Sequence, residues 1–222
     1  MIYRKQVSDM NALFTLCIER REWFFELTWQ HLYLSGIAIV IAAIVGIALA
    51  IFISEYKSAA RYVLGLCNIV YTIPSISLLG FLLPLSGVGN GTAVIALTVY
   101  ALLPMIRNTY TGINQIPQEI IEAAIGMGCT KPQMILKIKL PLALPMILAG
   151  FRNMVVMTIA LAGIASYIGA GGLGLAIYRG ITTNNQAMTV AGSLLIALLA
   201  VFLDTLIGRY ERHIKRKRRL PQ

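Results

Sequence analysis

Arg152 and Asp204 stand where charge is least expected. Arg152 lies about ten residues beyond Pro141 in an apolar run, roughly 15 Å along a helix. An arginine at that depth in a membrane needs a partner or water. Asp204 is the only acid inside a predicted span and so the counter-ion candidate. An unpaired Arg152 would repel a cation, so this pair reads as structural or gating rather than as a binding site. Tyr71 and Tyr100 offer a different chemistry, aromatic faces for transient contacts or for packing alone. Tyr71, Thr72 and Ser75 cluster around Pro74 inside an apolar stretch. Interrupted spans of this kind often line transport routes, and a plain structural kink is the other reading.

Catalytic chemistry is poorly supplied. His31 and His213 stand alone, and Cys17, Cys67 and Cys129 form an odd set without paired spacing. Neither predicts a metal site or a disulfide framework. Gly169-Ala170-Gly171-Gly172-Leu173-Gly174 fits the dinucleotide-binding pattern letter for letter, but that pattern requires a preceding strand. Here it follows an apolar span, so a tight loop or re-entrant turn is expected. No Gly-x-x-x-x-Gly-Lys-Ser/Thr phosphate cradle occurs, so this chain has no means of drawing energy from a nucleotide. No catalytic residue and no cofactor of its own is expected.

The elements that must position these residues are membrane spans. Of 222 residues, 58% are hydrophobic and only 13% charged, far from a water-soluble domain. Charge-free runs cover Leu32–Ser54, Tyr62–Ile106, Asn153–Tyr178 and Gly180–Leu203. A span needs roughly 20 apolar residues, so the second run should hold two, with a turn at Pro84–Gly91. Five spans are expected near 32–54, 62–84, 92–113, 142–168 and 187–208. Residues 1–30, with Trp23, Phe24, Phe25 and Trp29, suit a membrane-interface segment. Residues 31–208 form the membrane domain, and 209–222 a basic tail.

One polar-flanked segment interrupts this pattern. Pro117 can open a short helix, Glu119 and Glu122 sit near its positive end, and Gly128 can end it in the left-handed conformation. Thr130 and Pro132 suggest a second start, and Pro141 a second stop. Two short helices hinged at a glycine are therefore expected within 114–141. Glu122, Ala123, Ala124, Gly128, Ile138, Leu140 and Pro141 carry a resemblance to the EAA signature of permease subunits of binding-protein-dependent ABC importers. Tyr71–Ser75, Arg107–Ile113 and Ile168–Gly174 resemble the osmoprotectant branch, which moves glycine betaine, carnitine or choline.

The resemblance implies an all-α integral membrane protein with a five-span, MetI-like permease core and cytoplasmic coupling helices. It implies that the seven signature residues engage a separate ABC ATPase dimer, which holds ATP and Mg. An extracellular substrate-binding protein would deliver the solute. Five spans are too few to enclose a pathway, so a second permease copy, identical or homologous, is expected. A permease for methionine or another amino acid is the alternative, and an ion channel a remote one.

The net charge of +10 raises the question of nucleic acid, but seven of nineteen basic residues lie in Arg209–Arg219, directly after the last span. In a five-span topology the signature segment shares that basic side. Positive-inside bias then places the C-terminus in the cytoplasm and the N-terminus outside, in a bacterial inner membrane. The signature also mimics a DNA-reading helix-turn-helix, but a helix between two spans cannot readily enter a major groove. The tail either fixes topology or binds anionic headgroups, each basic residue contributing about 1 kcal/mol.

Overall fold

The computed structural model describes residues 13–218, and every regular element among them is helical. Helices satisfy their own backbone polar groups, which is what a lipid environment demands. After a helical stretch at 13–19, α1 runs Arg21–Glu55, α2 Lys57–Thr72, α3 Ser75–Ser86 and α4 Asn90–Asn114. Then come α5 (Gln118–Gly126), α6 (Lys131–Ala162), a 3-10 turn at Ala165–Ile168, α7 (Gly174–Thr182) and α8 (Gln186–Arg218).

Helices α1, α4, α6 and α8 are each long and apolar enough to cross a membrane. The span expected at 62–84 is two helices, and the count reaches five when α2 and α3 are taken as one broken span. The break has a local cause. Pro74 is extended, with φ −56° and ψ 137°, and its ring disfavours helical geometry at Ile73. Pro84, expected in the turn, lies inside α3; the turn follows at Gly87 and Gly89, with φ +78° and +116°.

Three further boundaries differ from expectation. Residues from Arg21 onward belong to the 35-residue α1 rather than to a separate interfacial segment, and residues 1–12 lie outside those described. The fourth span stops at Ala162 instead of 168, and α7 occupies sequence expected to be loop. The basic tail, up to Arg218, continues α8.

The chain divides into two units. The first holds the described residues up to Ile39, with Ile73–Thr98 and Val156–Leu203. Its core joins Leu34, Leu79, Ala93, Ala96 and Ile168, with a smaller group of Ala38, Leu97 and Ala162. Alanine at such contacts lets helix backbones approach where lipid removes the hydrophobic drive. Here the Gly169–Gly174 loop is clasped by its neighbours. Asn90 Oδ1 accepts the Gly171 amide at 3.0 Å, and Gln30 Oε1 accepts the Gly172 amide at 3.2 Å. His31 is 1% exposed, and its Nε2 donates to the Ile159 carbonyl at 3.0 Å.

The second unit holds Val40–Thr72, Val99–Val155 and the described residues from Asp204. Ala50, Ile53, Ala60 and Ile106 form its core cluster. Within it α4 and α6 pack at Gly150, where a side chain would meet Asn108 and the Pro104 carbonyl.

Candidate functional site

The signature segment is built by two end-signals with one glycine between them. Pro117 stands immediately before α5 with φ −54° and ψ 137°, so it precedes the helix as its cap instead of opening it. At the other end Gly128 has φ +79°, a conformation costing any L-residue roughly 1–2 kcal/mol. Its amide donates to Ile125 O at 2.9 Å, and the Cys129 amide donates to Ala124 O at 3.0 Å. This is the paired Schellman arrangement that satisfies the last carbonyls of a helix. Two residues on, the Thr130 amide donates to Gln133 Oε1 at 2.9 Å, half of the reciprocal capping box that starts α6.

Beyond Gln133 the expectation of a second short helix fails. Pro141 does not close it; α6 passes through Pro141 and Pro145 to Ala162 without interruption. Met134–Lys139 is wound as a π turn immediately before Pro141. A proline removes one amide and crowds the carbonyl four residues back, here that of Lys137. The wider turn moves that carbonyl aside, so the helix absorbs the proline. The hinge therefore joins one short helix to one membrane-length helix.

Glu122 and Ala123 are exposed and Ala124 is buried, while Ile138, Leu140 and Pro141 are half-buried on α6. In the same segment three apolar side chains are exposed: Ile125 at 61%, Leu136 at 66% and Met127 at 76%. Exposed apolar side chains interspersed with the exposed Glu119, Glu122, Lys131 and Lys137 make this segment a candidate interaction surface. Sequence reasoning gave these three no role, although the Ile-Gly-Met-Gly run carries Ile125 and Met127 in plain view.

The five pathway candidates are only partly brought together. Tyr71 and Tyr100 meet edge to face, with ring centroids 6.0 Å apart. They border a cavity of about 350 Å³ whose other walls include Leu49, Val63, Cys67, Val70 and Ile106. No charged side chain lines it, so a solute carboxylate would find no partner there. Thr72 Oγ1 donates to its own helix at Ile69 O, 2.7 Å away. Pro74 and Ser75 belong to the first unit.

Arg152 and Asp204 form a fork: Nε to Oδ1 and Nη2 to Oδ2, both at 2.6 Å. Two residues escaped the sequence reading. Glu211 Oε2 lies 3.8 Å from Arg152 Nη1. A Cβ on Gly208 would stand 3.1–3.2 Å from the guanidinium, so the flat group rests on bare backbone. Their spacing from Asp204, four and seven residues, puts all three on one face of α8. A further ion pair joins Lys139 Nζ to Glu55 at 2.5 Å, tying the π turn to the end of α1. Among the described residues no group of His, Cys, Asp or Glu could hold a metal ion, and the three cysteines are free.

Residues 38–218 match the family described as binding-protein-dependent transport system inner membrane component. The chain is 40% identical over 195 residues to the carnitine transport permease protein OpuCD of Listeria monocytogenes, covering 86% of this chain and 87% of that one. It is 41% identical over 199 residues to the osmoprotectant import permease protein OsmW of Salmonella typhimurium, covering 87% and 93%. Among solved structures, an inward-facing MetNI methionine ABC transporter is similar with a TM-score of 0.81 and 23% identity, covering 88% of this chain and 98% of that chain. At that identity the likeness is one of fold.

Proposed function

The chain belongs to the family of binding-protein-dependent transport system inner membrane components, and we propose that it is the permease subunit of an ATP-driven importer for a small quaternary ammonium osmoprotectant such as glycine betaine, carnitine or choline. The carrying observation is the signature segment, whose distal arm is the start of a membrane-length helix. The solute class is supported by the named cargo of relatives at 40–41% identity. The methionine reading has only a fold likeness behind it.

The energy for transport comes from ATP hydrolysis on a partner, since this chain lacks a phosphate cradle. In this reading α5 and the first turns of α6 lie in the cytoplasm and dock on an ABC ATPase. Ala123 allows close approach, Glu122 accepts a hydrogen bond from a basic group, and Ile125, Met127 and Leu136 supply the apolar contact. Gly128 fixes the elbow. Because α6 is unbroken from Lys131, a displacement of the segment reaches Arg152, about 30 Å along the helix. A second permease copy completes the pathway, an extracellular binding protein delivers the solute, and the basic end of α8 faces anionic lipid in the cytoplasm. The N-terminus lies outside.

A crosslinker at residue 123 in native membranes is expected to capture a nucleotide-hydrolysing companion; repeated failure would reject the docking surface. Gly128→Asp is expected to abolish solute-stimulated ATP hydrolysis while inserting normally, because strain of roughly 1–2 kcal/mol and a new charge fall on the elbow alone. Radiolabelled uptake of betaine, carnitine and choline with the binding protein present would identify the solute.

A further inference from the structure

We propose that the cavity between α2 and α4 is a lipid site, which takes one acyl chain of a membrane phospholipid and sets its phosphate near Arg61 and Arg107. The walls are two apolar stripes. Val63, Leu66, Cys67 and Val70 line the cavity from α2, and Val99, Leu102, Leu103 and Ile106 line it from α4. Both sets repeat at i, i+3, i+4 and i+7, the spacing of one helix face over two turns. Facing stripes of this kind interdigitate in ordinary protein interiors and leave few voids larger than a water molecule. Here they enclose about 350 Å³. An apolar cavity of roughly 150 Å³ already stays dry and binds benzene.

The shape of this slot selects its occupant. Its two wall helices run antiparallel: Tyr71 meets Tyr100 at one end, and Ala60 shares a cluster with Ile106 at the other. The advance along each stripe is about 10.5 Å. Spread over that length, the volume averages roughly 6 Å across. A helix with its side chains measures about 10–12 Å and is too thick to enter, whereas a single hydrocarbon chain fits. Tyr100, Leu103 and Ile106 are buried at the back, while Leu66 is 63% and Tyr71 46% exposed at the front. The mouth therefore lies along α2, where the medium around a membrane bundle is hydrocarbon. A chain entering from the bilayer gains no hydrophobic drive, because lipid is equally apolar. It gains the van der Waals contacts that the two stripes do not make with each other. At the Ala60–Ile106 end the same helices carry Lys57, Arg61 and Arg107, all exposed and, among the described residues, in no ion pair. Long basic side chains reach from a helix flank to the phosphate level, so the charge at this end complements the head of a lipid whose tail fills the slot.

The test uses the full chain, stripped of lipid in detergent and then supplied with palmitoyl-oleoyl phosphatidylglycerol. Native mass spectrometry is expected to find one retained phospholipid per chain, and the added lipid is expected to raise the unfolding temperature, as any ligand of the folded state does. Glycerophosphoglycerol, the same head without chains, should do neither. Val70→Phe combined with Leu103→Phe fills the slot, so both effects should be lost while the lipid-free unfolding temperature stays at or above that of wild type. Arg61→Gln and Arg107→Gln should each weaken retention about fivefold. In intact membranes, a phosphatidylglycerol with a diazirine in its acyl chain should mark α2 and α4 between the tyrosine pair and Ala60–Ile106; if the filled variant unfolds early, this marking alone decides. Failure of wild type to retain lipid, an equal gain in the filled variant, or marking no stronger there than at exposed Leu198 and Phe202 of α8 would each overturn the site. So would displacement of the lipid by excess glycine betaine, or capture of a second permease copy in place of lipid by a photocrosslinker at Leu66. Retention unchanged in both arginine variants would overturn the placement of the phosphate.

Discussion

In the unit that holds the glycine-rich loop, helices and loops are fastened through main-chain groups: Gln30 and Asn90 grip the Gly172 and Gly171 amides, and His31 grips the Ile159 carbonyl. In the unit that holds the signature segment, the long-range fastenings are charges: Arg152 with Asp204 and Glu211, Lys139 with Glu55. The two chemistries tolerate movement differently. A neutral hydrogen bond weakens steeply once its distance and angle leave a narrow range. Coulomb attraction falls only as the inverse of distance and survives displacements of several ångströms. Main-chain clasps suit a frame that keeps its shape, and ion pairs suit parts that must stay attached while shifting.

The sharpest way to break this contrast is at Gly174, where a Cβ would overlap the Gly163 carbonyl. Gly174→Ala is expected to cost about 3 kcal/mol, the upper range for overpacking, read as a lowered unfolding temperature in detergent. Arg152→Ala comes next, with a smaller fall in unfolding temperature, because it strips both charge-assisted hydrogen bonds from Asp204. Arg152→Lys should recover only part, since an ammonium cannot fork. Gln30→Ala should cost about 1 kcal/mol, one hydrogen bond, and speed hydrogen exchange at the Gly172 amide. Lys139→Ala is the smallest, about 0.5 kcal/mol for a partly exposed pair. Its difference from wild type should vanish in 1 M salt, where screening acts within about 3 Å, while that of Gln30→Ala persists.

Much of this was legible beforehand, for physical reasons that differ by region. Charge-free runs disclose spans because lipid tolerates little else, and Gly128 announces its elbow because few residues adopt positive φ. Arg152 and Asp204 point to each other because each is anomalous in its own run. Glu211 and Gly208 went unseen because an acid in a basic tail and a glycine closing a span look ordinary until the guanidinium is in place. The Lys139–Glu55 pair joins residues 84 positions apart, and no local pattern carries that information. Pro141 misled for a different reason. A proline ends a helix when nothing relieves the carbonyl four residues back, and here the preceding π turn relieves it.

That preceding turn also sets an angular phase. Each residue of an α-helix advances the side-chain direction by about 100°, and the wider winding at Met134–Lys139 accommodates more chain per revolution. Lys131–Gln133 and the elbow before them are consequently rotated from where a helical wheel drawn back from Ala162 would point them. A chimera that joins this loop to another permease's fourth span, with regular α winding across the junction, would present Glu122 and Ala123 to the wrong azimuth even with every residue retained.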